Sequence, residues 1–583
     1  MIVRMKKIMV LVQSKDVAST LNALGRAGVL HIEHQEVPQS ENLTALKERY
    51  ESLSRAIAML PEAENQRDVP EAGDIAREIL NLLDEKEIVL EGLKKVKRYI
   101  DIWAEWGDFD PGLIDDLEGR GILVRLCKIT KKEAKNVPED VILEQLFKKG
   151  TILYCAVISR EKISFPFETL ALPEKGLGEM IADQNAQERR IKEIDTRLAG
   201  IAQYKNSLSS HRRRLESLME FNKAVAGKGV FQSVSYLKGY SPVYNVDLLE
   251  RLAEKEKWGI VIEDPDENDN VPSLIKNPRW VEIIRPMFGM IKIIPGYREV
   301  DISFWFLLFF SVFFGMLVGD AGYGVVFFFA NLFCHIKFRN KLESRAIFFL
   351  MYVLSVCAIA WGALTGTFFG QAWLPQRMEP LLPFLRENRN IQALCFFIGA
   401  SHLSIAHVWR FIRKMPSIKA FSEAGWVCVL WTAYFLARSL ILGDAFPEEA
   451  KGLFITGTAL IILFTNPTKN IFKTVGSGIG DFLLRIVNSF TDLVSYIRLF
   501  AVGAATVAVA DAFNQMASGI GGGNLLAGFL TAFVLLFGHT LNILLGAMAV
   551  LVHGVRLNVL EFSSHLNMEW SGTEYSPFRG KGD

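Results

Sequence analysis

Cysteine is scarce in this chain: the six residues Cys127, Cys155, Cys334, Cys357, Cys395 and Cys428 are scattered over 583 positions without a single C-x-x-C pair. That spacing argues against a disulfide framework and against a thiolate zinc site. An excess of one charge is missing too. With 65 basic and 64 acidic side chains the net charge is +1, and no basic arm with interleaved aromatics occurs, so nucleic acid is not an expected partner. No G-x-x-x-x-G-K-[ST] loop exists, since Gly227-Lys228 is followed by Gly229. Gly476-Ser-Gly478-Ile-Gly480 has Asp481 where a third glycine belongs, and no strand precedes it. An ATP-hydrolysing site, a cofactor and a metal centre are therefore not expected. His31 and His34 flank Glu33 on a short strand without further ligands, which reads as a solvated strand face. A secretory leader is not expected, because the apolar stretch Ile8 to Val12 is too short for one and no small-residue cleavage site follows. The N-terminus is expected to stay in the cytoplasm.

What is present is a division of charge by position. Asp, Glu, Lys and Arg make up roughly 31% of residues 1–300 but roughly 13% of the rest. In the first part, Ile8 to Val12, a helix to about Ala27 and Val29 to His34 read as strand, helix, strand. From Leu43 the pattern changes: Leu43, Leu46, Tyr50, Leu53, Ile57 and Leu60 step by three and four along a charged helix. Leu82, Val89, Leu93, Val96, Ile100 and Trp103 repeat the seam, and a third runs from Ile191 through Leu198 to Leu215. Between the second and third seams, Gly121 to Ile129 and Thr151 to Ser159 read as strands around a helix near Glu139 to Phe147. The expected plan is mixed: a proximal α/β lobe (1–40 with 228–270), coiled-coil arms (41–118 and 177–227), a distal α/β lobe (119–176) and a linker (271–300). An ordinary helical bundle would also use such short heptads; long charged helices poor in Gly and Pro favour an antiparallel coiled-coil rod.

The second part, 301–583, reads as an all-α polytopic membrane domain. Each crossing of about 30 Å of hydrocarbon takes about 20 apolar residues. Eight spans are expected, near 302–318, 321–336, 346–369, 391–411, 424–442, 452–466, 481–516 and 525–563. The second and sixth are short. Basic loops sort to one side: Lys337, Arg339, Lys341 and Arg345; Arg410, Arg413, Lys414 and Lys419; Lys469 and Lys473. Since Lys and Arg concentrate in cytoplasmic loops, an even count of eight puts all three loops and both termini in the cytoplasm. Gly315-x-x-x-Gly319 predicts tight packing of spans one and two.

Spans seven and eight carry charge where lipid forbids it. Residues 481–516 as one helix would extend about 54 Å, which demands strong tilt. Arg498 sits in the middle of that span, and an arginine at a helix centre costs at least about 2.5–3.5 kcal/mol, so it is read as functional. Span eight adds His539, Asn542, His553, Arg556 and Glu561; the first two share a helix face, as do His553 and Arg556. Arg556 and Glu561 lie toward the cytoplasmic end, where snorkelling alone would account for them. Arg498 keeps its proton at any relevant pH, so it cannot relay one but can hold a carboxylate ionised. With no matching carboxylate apparent on its own chain, the expected partner is a carboxylate on another subunit, surrendering its ion on one side of Arg498 and reloading on the other.

Four blocks then resemble the I subunit (subunit a) of rotary V-type and A-type ATPases: Pro272-Ser-Leu-Ile-Lys-Asn-Pro278; Phe314-Gly-Met-Leu-Val-Gly-Asp320-Ala-Gly-Tyr-Gly324; Ser495-Tyr-Ile-Arg498-Leu-Phe-Ala-Val-Gly503; and Gly538-His-Thr-Leu-Asn542 with His553-Gly-Val-Arg556-Leu and Glu561-Phe562. The resemblance spans nearly the whole chain. It implies a non-catalytic, ion-translocating stator subunit in a prokaryotic plasma membrane. Spans seven and eight would face a rotor ring of proteolipid subunits (c or K), and the cytoplasmic lobes would meet peripheral stalk subunits and the central stalk socket subunit. Arg498 matches the family's essential arginine and Arg556 its second arginine. Asp492, Ser495, His539, Asn542, His553 and Glu561 are candidate half-channel lining. The chain departs from the family at Asp301-Ile-Ser303, at Gly546 and in the tail from Ser563 to Phe578. Proton and sodium remain open as the ion. The competing reading, a self-contained secondary transporter with a regulatory rod, predicts repeated halves, and no repeat relates spans one to four to five to eight.

Overall fold

The computed structural model describes residues 1–35, 38, 40–61, 72–136, 141–160, 169–170, 172–231, 233–339, 344–370, 380–467, 471–520 and 525–579. The chain divides into two compact units: Met1–Val10, Val29–His31 and Gly239–Pro577 form one, and Leu11–Gly28, Ile32–Lys238 and Phe578–Asp583 the other. The N-terminal part is mixed α/β. Strands His31–Glu33, Val234–Pro242, Met5–Gln13 and Gly259–Glu263 lie in that order in a five-stranded sheet, with Gly229–Phe231 paired to Val234–Pro242. The helix Val17–Ala27 stops at Gly28, whose φ of +60° suits a residue without Cβ and lets its N–H return to the Leu24 carbonyl at 2.9 Å.

The second unit holds the seams. Helix Ala72–Trp103 packs on Leu177–Ala202, and Glu41–Met59 on Lys205–Ala226. Ion pairs Glu78–Arg197 (2.7 Å), Glu85–Arg190 (2.6 Å) and Lys97–Glu188 (3.0 Å) run in opposite sequence directions, so the first pair of helices is antiparallel. Leu53, Ile57, Ile79, Ile194, Leu198 and Leu208 bury the seam. The third seam is not one helix: it breaks at Gln203-Tyr204. The distal lobe corrects a second expectation. The segment read as a helix near Glu139 to Phe147 is in fact strand Ile142–Lys149 from 142 onward, residues 137–140 lying outside the described set. It forms a hairpin with Ile152–Ser159 through Gly150 (φ +60°) and Thr151. The antiparallel order is Ile142–Lys149, Ile152–Ser159, Leu123–Thr130, Thr169–Leu170. Local apolar spacing mimicked a helix, and pairing with a neighbouring strand decided the outcome.

Among the described residues of the first unit, six helical stretches are long and apolar enough to cross a membrane: Ala321–Phe338, Ala346–Thr365, Asn388–Lys414, Ile418–Leu442, Phe472–Ile520 and Leu525–Leu566. Helices also occupy the other two expected places, but Ser303–Val318 has 16 residues and Glu448–Phe464 has 17, the latter opening on two glutamates. At 1.5 Å per residue they reach only about 24–26 Å. Gly315 and Gly319 do not pack span one against span two. A Cβ on Gly315 would lie 2.7 Å from the Cys357 carbonyl oxygen, and one on Gly503 would lie 2.3 Å from that of Met316, so the first helix is wedged against Ala346–Thr365 and Ile497–Ile520. Gly476, Gly478 and Gly480 fall inside helix Ile471–Val494, which removes any phosphate-loop reading. After the last helix, the chain returns. Ser273 N–H donates to the Thr573 carbonyl (2.7 Å), Gly572 N–H to that of Ile294 (3.1 Å), and the Tyr575 hydroxyl to that of Val29 (2.6 Å).

Candidate functional site

The span expected as one long helix is broken next to its arginine. Helix Ile471–Val494 ends, Ser495 and Tyr496 form a turn, and Ile497–Ile520 begins. Here the ladder tightens to three-residue steps: Tyr496 N–H donates to the Leu493 carbonyl, Arg498 to Ser495 and Leu499 to Tyr496. Tyr496, fully buried, anchors the break through a 2.8 Å hydrogen bond between its hydroxyl and His402 Nδ1. His402 in turn stacks on Phe562 at 4.2 Å. Arg498 Nε donates to the Ser495 carbonyl at 3.0 Å, which ties the guanidinium to the turn.

The guanidinium meets a carboxylate on its own chain. Arg498 Nη2 lies 2.7 Å from Glu561 Oε1, and Arg556 Nε reaches the same oxygen at 3.2 Å. Glu561 is 3% exposed, so the snorkelling expected of it is corrected: it is the buried counter-ion of two arginines. Regular helix geometry hides this. Residues five apart lie about 140° apart around a 3.6-residue helix, yet Val550–Gly554 and Leu557–Phe562 are wide π-helical turns whose hydrogen bonds span five residues. That widening brings Arg556 over Glu561. One carboxylate between two guanidiniums leaves net positive charge, and Glu561 Oε2 and His553 Nδ1 are both buried without a hydrogen-bond partner among the described residues.

The remaining expected residues separate into two groups. Asp492 Oδ2 lies 3.3 Å from His565 Nε2, whereas the Ser495 hydroxyl is turned onto the Thr491 carbonyl at 2.9 Å. His539 and Asn542 do share a face, and Tyr323 of the second helix joins them: its hydroxyl is 2.8 Å from His539 Nδ1 and accepts from Asn542 Nδ2 at 2.9 Å. His539 Nε2 continues to Asn514 Oδ1 at 3.1 Å. Separately, a cavity of about 380 Å³ extends from Leu499 and Phe500 to Asp511, Arg386 and Asn388. Asp511 Oδ1 is buried there without a partner among the described residues. Asp511, Tyr323, Asn514, Tyr496 and His402 were not singled out from sequence. The available signal was a polar or titratable residue inside an apolar run. Among the described residues no group of three or more His, Cys, Asp or Glu could hold a metal ion.

No family model matches the chain. Individual relatives do. It is 33% identical over 629 residues, covering 99% of both chains, to V-type ATP synthase subunit I of Borreliella burgdorferi. To V-type ATP synthase subunit I 1 of Treponema pallidum it is 29% identical over 625 residues, covering 99% of this chain and 100% of that one. A-type ATP synthase subunit I of Methanocaldococcus jannaschii is 24% identical over 460 residues, which cover 71% of this chain and 64% of the relative.

Proposed function

The chain belongs to the subunit I family of V-type and A-type ATP synthases, and from that premise we propose that it is the non-catalytic membrane stator of a rotary ATPase, carrying protons or sodium ions past Arg498. The observation that carries this reading is the Arg498–Glu561–Arg556 cluster beside a broken helix. A fixed guanidinium inside an apolar layer attracts any carboxylate that passes and holds it ionised. A rotor carboxylate arriving at Arg498 would give up its ion there, and the positive charge would keep ions from crossing directly between the two aqueous paths. Glu561 supplies a counter-charge between arrivals. The cavity that runs from Leu499 to Asp511 is suited to one such path, with the polar side chains of Asp492, Ser495, His539, Asn542 and His553 as further lining.

In this reading the helical unit crosses the membrane eight times, with the two short helices included, the basic loops and both termini lie in the cytoplasm of a prokaryotic cell, and the helices from Ile471 onward face a ring of proteolipid subunits. The antiparallel helices act as a coiled-coil brace toward peripheral stalk subunits and the central stalk socket. Arg498→Ala in the assembled complex tests it: ATP-driven ion pumping into vesicles is expected to vanish while the complex still copurifies. Arg556→Ala is expected to weaken pumping less. Full pumping by the Arg498 variant would sink the proposal.

A further inference from the structure

A cavity of about 270 Å³ lies where the segment before the first membrane helix folds against that helix and the returning tail. Such a volume stands at the small end of ligand-binding cavities. Leu274, Ile284, Phe288, Ile293 and Ile294 give it apolar walls, and Ser303, the first residue of helix Ser303–Val318, forms part of them. Aromatic side chains mark its level. Phe304, next along the helix, meets Trp280 edge-on at 5.6 Å, and the two are 39% and 60% exposed. Exposed aromatic rings at the start of an apolar helix belong to the boundary between lipid and water. We propose that this cavity holds one phospholipid of the cytoplasmic leaflet, with a headgroup that carries both a phosphate and a primary amine. The proposal uses only the entry of that helix into the membrane from the cytoplasm, and not the stator reading of Arg498.

The polar groups suit such a molecule better than a simple anion. Ser273 lines the cavity at 2% exposure, and its hydroxyl is buried without a hydrogen-bond partner among the described residues. Its backbone is already engaged, the N–H donating to the Thr573 carbonyl and the carbonyl accepting from the Tyr575 N–H. A buried hydroxyl left unmatched is costly, and a lipid ester oxygen, which accepts but cannot donate, satisfies it. Two cations and two carboxylates complete the lining: Arg285, Lys292, Glu282 and Glu574. Arg285 lies 3.3 Å from Glu282 and 3.4 Å from Glu574, longer than the about 2.7–2.9 Å of a closed charge-assisted hydrogen bond. The side chains of Arg285 and Glu574 are mostly exposed, so charge rims a cavity whose walls are apolar. A ligand of negative charge alone would meet as much repulsion as attraction there. A phosphate beside Arg285 and Lys292 with an ammonium beside Glu282 and Glu574 uses all four groups. That ammonium needs N–H donors to serve a carboxylate, which separates an ethanolamine headgroup from a choline one. An acyl chain then covers the apolar walls.

The test uses the full chain in detergent, stripped of lipid and titrated with phosphatidylethanolamine, phosphatidylcholine or phosphatidylglycerol, with bound lipid counted by native mass spectrometry. A phosphatidylethanolamine with a photoreactive acyl chain is then crosslinked and its attachment mapped. One phosphatidylethanolamine is expected to stay bound, about 10-fold more tightly than either competitor, with the crosslink in 273–294 or on the first turn of helix Ser303–Val318. A Cβ at Gly289, in the cavity lining, meets nothing within 4 Å, so Gly289→Leu fits the fold while narrowing the space. Lys292 holds a left-handed φ of +56° that glycine adopts freely, so Lys292→Gly removes the ammonium without straining the turn. Each variant is expected to weaken phosphatidylethanolamine binding about 10-fold. Equal or tighter binding of either competitor overturns the proposal, as does a crosslink confined to other parts of the wild-type chain, and neither outcome depends on a variant. Undiminished binding by Gly289→Leu would place the lipid outside the cavity and also overturn it. Competition by glycerophosphoethanolamine or inorganic phosphate as strong as that of the whole lipid would make the occupant a soluble phosphate compound and remove the membrane lipid.

Discussion

Glu561 is the residue whose loss separates charge from packing. Glu561→Gln keeps the side-chain volume but leaves two guanidiniums facing one neutral amide, whereas Arg498→Ala leaves Glu561 still paired with Arg556. Removing one partner of a fully buried pair costs about 3–5 kcal/mol; because both arginines are partly exposed, about 1–3 kcal/mol is expected here. The denaturation midpoint of the detergent-solubilised chain should therefore fall further for Glu561→Gln than for Arg498→Ala. The opposite order would show that Glu561 is not the shared counter-ion. Arg498 was legible in the sequence because a charge inside an apolar run needs no partner to be noticed. Glu561 is visible there too, but its place as a counter-ion depends on wide turns that no spacing rule reveals. In the distal sheet, Cys127 and Cys155 face each other across the Leu123–Thr130 and Ile152–Ser159 ladder. Burial first, and then the neighbouring Cys155, pushes the Cys127 thiol up to about 12. In an unfolded chain the thiol titrates near 9, so its contribution to stability is complete below that pH and drains away as pH rises toward 12. Alkylation at pH 8 should leave Cys127 unlabelled until the distal lobe is unfolded; labelling at the rate of a free thiol would contradict the burial.

Helices were legible where one amphipathic or apolar period ran undisturbed, as in Ala72–Trp103 and Ala346–Thr365. Elements decided by a distant neighbour were not. Strand Ile142–Lys149 exists because Ile152–Ser159 pairs with it, and the break at Ser495-Tyr496 is fixed by His402, 94 residues away in sequence from the tyrosine it binds. The same dependence makes glycines unequal. Gly503→Ala would push a methyl carbon to 2.3 Å from the Met316 carbonyl oxygen and force the first helix away from the Arg498 helix. Overpacking of this kind costs about 1–3 kcal/mol. Gly476→Ala meets nothing within 4 Å, and removing a helix-interior glycine favours the helix by about 0.5–1 kcal/mol. Thermal midpoints of the two variants should move in opposite directions, and a neutral Gly503→Ala would show that the close approach is not tight.

At the scale of the whole molecule, the uneven distribution of charge along the sequence separated a charged α/β and helical part from an apolar helical one, and that separation is how the fold was read. The residues that join parts were the least legible, because their partners lie hundreds of positions away and no periodicity marks them. The returning tail is the clearest case. Tail residues Ser571 and Glu574 bridge two separate points of the 271–300 segment, Ile294 and Ser273, and the Tyr575 hydroxyl fastens the tail to Val29. A single tether between the last helix and the N-terminal sheet would act as a hinge. Two cross-tied ones act as a braced joint, because the tail cannot shift without breaking backbone bridges at both ends of the 271–300 segment and the Tyr575 hydrogen bond together.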